Sequence, residues 1–322
     1  MSSAALYLIE SSLWTNWRDT MCSRMVNEIG KAALRKWREE RGGGSTGITS
    51  CGGKAFHWGK RTYVMGIINV SPDSFSGDGL DNVDDAVAQA HRFVSEGVDI
   101  IDVGGESTRP GTAPESTRTA IERELSRIMP VLERLCGRID VPISVDTYRY
   151  EVARSALDAG VHIINDIWGL RQSPELAGLA AERGVPLIMM SNQRDRGYAR
   201  IIPALLSDLK RAIDTALNAG VAWENIIIDP GIGFGKTLEQ NYEIIRRLNE
   251  LRVLGRPVLM GTSRKSMIGL TLDLPVDQRL EGTAATVAIG IANGADMVRV
   301  HDVREMIRVC RMSDAILRTR RS

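Results

Sequence analysis

IIDVGGESTRPG, residues 100–111, begins as a buried strand and ends as a polar loop. Ile100, Ile101 and Val103 suit a core, yet the run stops at Gly104 and Gly105. It then presents Glu106, Ser107, Thr108, Arg109 and Pro110 in succession. A core has no use for that set, so the stretch reads as a strand whose C-terminal end opens onto a site. The same grammar recurs along the chain. Short apolar runs appear at TYVMGIIN (62–69), VDIIDVG (98–104), VPISVD (141–146), VHIIND (161–166), VPLIMM (185–190), NIIID (225–229), RPVLMG (256–261) and DMVRVH (296–301). Near-continuous hydrophobicity of this kind marks parallel strands buried on both faces.

Between the runs lie segments of helical period. Leu238, Tyr242, Ile245, Leu248 and Leu251 share one face, and Pro174 after Ser173 marks a helix start. Parallel neighbours need such crossovers. Eight strands alternating with helices predict an α/β protein of the (β/α)8 TIM-barrel class, with a doubly wound open sheet as the competing architecture. The polar ends decide for the barrel. Almost every run finishes in Asn, Asp, Gly or His, and in a barrel all eight of those ends converge on one rim.

The 322 residues, 43% hydrophobic and 25% charged, supply ample apolar material for a soluble core of this size. Lys plus Arg number 41 and Asp plus Glu 40, so no global field favours nucleic acid or an anionic membrane. No run approaches the ~18 apolar residues of a membrane span. The four cysteines, Cys22, Cys51, Cys136 and Cys310, form no CxxC pair, which speaks against a zinc site or disulfide framework and for a reducing cytoplasm.

Upstream, Trp14, Trp17, Met21, Met25, Ile29, Ala33 and Trp37 recur every three or four positions, an amphipathic helix. RGGGSTGITSCGGK, residues 41–54, reads as a flexible linker. The expected organisation is an N-terminal helical extension over residues 1–53 and a barrel over 54–322. Glu10, Asp19, Glu28, Glu39 and Glu40 count against a transit peptide.

The rim offers two chemistries. Asp146, Asn165 and Asp229 are short acceptor and amide groups suited to the N–H edge of a flat heterocycle. Ser107, Thr108, Arg109, Arg264, Lys265, Arg299 and His301 are donors and cations suited to phosphate oxygens. Helix capping is the bland alternative for the first set, but all three doing only that beside those cations is improbable. No Walker pattern occurs. GIGFGK (231–236) has its third glycine too early for a dinucleotide fingerprint, and its glycines let the backbone pass close under a planar ligand.

MGIINVSPDSFSGDG (65–79), IIDVGGESTRPG (100–111), PISVDT (142–147), HIINDI (162–167), IDPGIGFGK (228–236), GTSRKSMIG (261–269) and RVHDV (299–303) resemble, motif by motif and in order, the dihydropteroate synthase family of pterin-binding enzymes. The resemblance runs from about residue 58 to the C-terminus. It implies a barrel transferase of folate biosynthesis that joins 6-hydroxymethyl-7,8-dihydropterin diphosphate to 4-aminobenzoate. By the same resemblance the pterin lies among Asp146, Asn165, Asp229 and Lys265, with Ile167, Met190, Phe234 and Gly261 shaping the slot and Arg299 stacked on the ring. Asn69, Arg299 and His301 fall on the diphosphate side, Asn69 is the position for Mg²⁺, and Ser107 stands in the loop that closes over both substrates. Phe75, Thr108, Arg109 and Pro110 fall on the aminobenzoate side. Lys265, Asp78 and Arg299 take the catalytic positions. The family also implies a homodimer formed through the last two helices, residues 277–293 and 303–318.

Two places depart from the family pattern. The M-H segment after the fifth strand reads MMSNQ, with Ser191 in place of His, and the first loop reads S-G-D-G, which moves its carboxylate to Asp78. A non-catalytic pterin-binding paralogue and a folate–corrinoid methyltransferase of the related barrels are the competing functions. Lys265 in SRKS and the GGESTRPG loop favour the synthase over the methyltransferase.

Overall fold

The computed structural model describes Arg35, Lys36, Glu39 and residues 47–70, 82–106, 117–195 and 197–318. Apart from Arg35 and Lys36, the helix expected over residues 14–37 lies outside these residues, as do Phe75, Asp78, Ser107, Thr108, Arg109 and Pro110.

All eight apolar runs are strands: β3 (Tyr63–Asn69), β4 (Ile100–Gly104), β5 (Ile143–Asp146), β6 (Ile163–Asp166), β7 (Leu187–Met190), β8 (Ile226–Asp229), β9 (Leu259–Met260) and β10 (Met297–Val300). They pair in parallel in the order β8-β7-β6-β5-β4-β3-β10-β9. The remaining seam joins β8 to the start of β9: Ile228 N–H donates to Pro257 O at 3.0 Å, and Ile228 bridges Val258 in parallel. The sheet is thus a barrel, the architecture the polar strand ends favoured, rather than an open doubly wound sheet.

Helices Val83–Glu96, Arg118–Leu135, Tyr150–Asp158, Glu175–Arg183, Ile201–Asn218 and Leu238–Arg246 make the crossovers from β3 through β8. Ser266–Leu272 and Leu280–Ala292 follow β9, and Val303–Leu317 follows β10. Pro174 does stand at the start of Glu175–Arg183. Thr237 opens Leu238–Arg246 with a reciprocal capping box to Gln240. That helix is shorter than its apolar period suggested. Leu248 and Leu251 are buried, but from a 3-10 segment, Leu248–Leu254, so the spacing of core contacts outlasts the α-helix itself.

The linker expectation is corrected at its C-terminal end. Ile48–Cys51 (β1) pairs antiparallel with Lys54–His57 (β2), so the hairpin takes in residues assigned to the extension. Gly52 and Gly53 have φ of 52° and 72°, the positive pair a two-residue hairpin turn demands. Gly52 and Gly53, which read as part of a linker, are therefore turn residues. Behind the turn Phe56 and Trp58, with Tyr63, pack on Met65, Ile100, Ile163, Ile188, Ile227, Leu259 and Met297. The hairpin plugs the end of the barrel where the strands begin. Trp58 stacks on Phe56 at 5.8 Å, meets Tyr63 edge-on at 5.2 Å, and its indole N–H donates to Thr49 Oγ1 at 2.9 Å. Trp58→Ala is expected to cost about 3–5 kcal/mol in denaturant unfolding while leaving substrate KM values unchanged, because the plug lies at the strand starts and the rim at their ends.

Candidate active site

The plug contacts fix which side chains face inward. Strand side chains alternate, so two residues beyond Ile163, Ile188, Ile227, Leu259 and Met297 the inward positions are Asn165, Met190, Asp229, Gly261 and Arg299. Two beyond Ile100 is Asp102. The ladder makes these positions neighbours: Asn69 pairs with Gly104, Gly104 with Asp146, Asp146 with Asn165, and Met190 with Asp229. Adjacent strands lie about 4.8 Å apart, so residues up to 230 positions apart in sequence share one mouth.

Arg299 is the centre of its charge arrangement. Its Nε donates to Asp102 Oδ2 at 2.6 Å and its Nη2 to Asp146 Oδ2 at 2.6 Å. Asn165 Nδ2 donates to the same Asp102 oxygen at 3.1 Å. Asp102 is 0% exposed. Burial pushes the Asp146 carboxyl up to about 7; Arg299 pulls it down, and Asp102, Glu124 and Glu106 push it further up. For Arg299 burial favours the neutral form, but Asp102 and Asp146 outweigh it and raise its pKa.

Asp229, across the mouth, accepts from Gly231 N–H at 2.6 Å on Oδ1. Burial raises its pKa, opposed by Lys265, the Gly231 N–H, Lys236 and Arg299. The Lys265 ammonium donates to Ile232 O and lies 4.7 Å from the centre of the Phe234 ring. Burial pulls it down to about 8, with Asp229 opposing. A Cβ on Gly261 would stand 3.8 Å from both Lys265 Nζ and Arg299 Cβ, so glycine there leaves the floor between the two cations open. Ile167, Met190 and Phe234 cluster with Tyr148 and Trp168. An aromatic cluster thus stands beside buried carboxylates and cations at one mouth.

The other expected residues are less central. Asn69 ends β3, and His301 follows β10 with its Nδ1 2.9 Å from Ser263 Oγ. Arg264, grouped with the phosphate cations, is engaged by Asp302 through Nε at 3.1 Å and Nη2 at 2.5 Å. Ser191 is buried and donates to Asp208 Oδ2 at 3.1 Å. Its neighbours Asn192 and Gln193 are buried too, and Asn192 Nδ2 donates to Ile167 O at 3.1 Å.

The motif reading passed over several residues. Asp102 carries a signal, a carboxylate flanked by Ile and Val inside an apolar strand. Tyr148 and Trp168 follow the rim residues Asp146 and Asn165 by two and three places. Arg149 gives none, yet it is buried and pairs with Glu106 at 2.7 Å and with Glu124. Lys236 hides in a glycine motif.

Two ionisations bound the activity that this mouth can support. Asp146 must be a carboxylate to hold Arg299, and it gains its proton as pH falls through about 7. Lys265 must be an ammonium, and it loses its proton as pH rises through about 8. The expected kcat/KM profile is a narrow bell between them, measured from about pH 5.5 to 9.5; a flat profile would contradict it.

Comparison with known proteins agrees with the motifs. The chain matches the pterin binding enzyme family over residues 65–301. It is 49% identical to a dihydropteroate synthase of Clostridium beijerinckii over 269 residues, 83% of this chain and 98% of that one. It is 48% identical to the Bacillus subtilis enzyme, covering 82% of this chain and 91% of the relative. Among solved structures, a Clostridium difficile dihydropteroate synthase determined in the presence of pteroic acid superposes with a TM-score of 0.76 at 48% identity, over 81% of this chain and 99% of that chain. The Xanthomonas albilineans enzyme with 4-aminobenzoic acid gives 0.77 at 38% identity, over 85% and 98%. Matching motifs, barrel and relatives of nearly full length together make this chain a member of the dihydropteroate synthase family of pterin-binding enzymes.

Proposed function

We propose that the chain condenses 6-hydroxymethyl-7,8-dihydropterin diphosphate with 4-aminobenzoate, giving 7,8-dihydropteroate and diphosphate. The observation that carries this is the slot in which Asp229 and Lys265 face the Asp102–Arg299–Asp146 chain. A carboxylate accepting from the pterin 2-amino group and a ring N–H together discriminates against rings lacking those donors. Asp229 takes that role, Asn165 and Asp146 flank the ring, and Ile167, Met190, Phe234 and Gly261 bound it. Arg299, held at two points, lies against the ring face.

In the reaction the C–O bond to diphosphate breaks, and the ring-stabilised methylene cation is attacked by the arylamine to form the C–N bond. The amine is neutral near pH 7 and attacks unaided, then sheds its proton to solvent or the departing diphosphate. The chain's part is electrostatic: cations at the rim receive the growing negative charge of the leaving group. Asn69 and His301 form the diphosphate side. Phe75, Asp78, Thr108, Arg109 and Pro110, outside the described residues, are assigned to the cation and the aminobenzoate on their match to the family motifs, and Ser107, also outside them, to the loop that closes over both substrates.

Among the described residues no group of three or more His, Cys, Asp or Glu could hold a metal. The donor set instead fits Mg²⁺ that keeps its waters and arrives on the diphosphate, with the Asn69 amide oxygen as its protein ligand. When bound, the ion neutralises the leaving group. Turnover should fall more than about tenfold in excess chelator and return with added Mg²⁺; undiminished turnover would remove the metal.

Among the described residues no helix is long and apolar enough to cross a membrane. Cys51, Cys136 and Cys310 are free thiols, which fits a cytoplasmic setting. The exposed Leu270, Ile289, Met312 and Ile316 on the last three helices fit a homodimer contact. The deciding experiment is dihydropteroate formation by the purified chain, paired with a pterin-binding titration. Turnover supports the synthase. Pterin binding without turnover would support the non-catalytic paralogue, and no pterin binding would reject both.

A further inference from the structure

Lys236 lies in the loop after β8, beside the slot but outside every motif role assigned above. Its Nζ donates to Ser191 O at 2.8 Å and to Phe234 O at 3.2 Å. It therefore ties the end of β7 to the loop that carries Phe234. The two loops interlock closely. Gly231, at φ 69°, passes so near the Ser191 carbonyl that any side chain would collide with it, and the same holds for Gly235 against Gln193 and Arg194. Gln193 N–H adds a bond to Phe234 O at 3.3 Å. A Cβ on Gly231 would stand 3.1 Å from Lys236 Nζ, so the ammonium sits directly behind the residue whose N–H binds Asp229.

That position costs the lysine. Burial pulls its ammonium down to about 7, Asp229 and Asp208 oppose this, and Lys265 and Arg171 add to it. An apolar side chain of similar length would fill the space without that cost, but would leave Ser191 O without its cationic donor and Asp229 with one cation fewer. We propose that Lys236 is a positioning residue of the pterin slot: its ammonium locks the β7 and β8 loops together and backs the Gly231–Asp229 readout, which sets affinity for the pterin ring rather than the rate of the transfer step. The inference rests on the pterin reading of the mouth.

The test compares the full chain with Lys236→Met and Lys236→Arg, by calorimetric titration with 6-hydroxymethyl-7,8-dihydropterin, which lacks the diphosphate, and by steady-state kinetics. Lys236→Met should weaken pterin binding and raise KM for the pterin diphosphate about 10- to 100-fold, as expected for leaving a buried polar group without its partner, while kcat and the aminobenzoate KM stay within about twofold. Lys236→Arg should recover most of the loss. An unchanged pterin affinity in Lys236→Met, a loss falling mainly on kcat or the aminobenzoate KM, or failure of Lys236→Arg to recover any of it would overturn the inference. If the unsubstituted chain itself bound no pterin, the proposed function would fail instead, a separate and recognisable outcome.

Discussion

Asp229→Asn is expected to lower kcat/KM for dihydropteroate formation by ~10⁴-fold without unfolding the chain. The substitution is close to isosteric, and an amide oxygen can still accept the Gly231 N–H that the carboxylate accepts at 2.6 Å. What changes is the second oxygen, which becomes an NH₂ group. A donor then meets the donor edge of the pterin, and a buried donor–donor contact cannot be relieved by solvent. The negative charge that holds Lys265 near the mouth is lost as well. Lys265→Ala should cost ~10³-fold through the missing cation, and the two together less than the sum, since each acts on the same ring edge. Melting temperatures should remain close to that of the unsubstituted chain. Retained turnover in either variant, with a normal melt, would contradict the assignment of this edge.

These residues were legible in the sequence for a specific reason. A barrel strand buried on both faces is mostly apolar until it reaches the rim, so Asp146, Asn165 and Asp229 stand out as polar ends of apolar runs. The period-two alternation then carries them to the inward face. Asp102 obeys the same alternation but lies one layer deeper, inside the run, where a lone carboxylate reads as an interruption until Arg299 is seen to reach it. Arg299 itself was expected as a ring-stacking cation. Its grip on two carboxylates depends on β10 pairing with β3, which in turn pairs with β4, a juxtaposition of the last strand with the first that no local pattern contains. The hairpin Ile48–His57 was missed because glycine content cannot distinguish a turn that needs positive φ from a linker that needs freedom. Lys236 was missed because its role is to bind two backbone carbonyls, which leave no trace in side-chain motifs.

Arg299→Leu is expected to damage both stability and chemistry, and its pH dependence separates the two. The guanidinium stands between Asp102 and Asp146 at 2.6 Å from each. Removing it leaves two buried carboxylates facing each other, and breaking a buried pair in this way costs about 3–5 kcal/mol. The carboxyl of Asp146 already needs a proton at about 7 with Arg299 present, because burial dominates. Without the arginine its folded-state pKa rises further above the unfolded value near 3.8. A group shifted in that direction binds its proton more tightly in the folded chain. The stability penalty is therefore smallest at low pH and grows as pH rises through the folded pKa. The melting difference between Arg299→Leu and the unsubstituted chain should accordingly be larger at about pH 8 than at about pH 5.5. Adding Asp102→Asn should recover part of the stability, because one of the two opposed charges is gone, while turnover stays lost because no cation lies against the ring. A melting difference independent of pH, or turnover restored by the second substitution, would show that Arg299 holds the slot by packing rather than by charge.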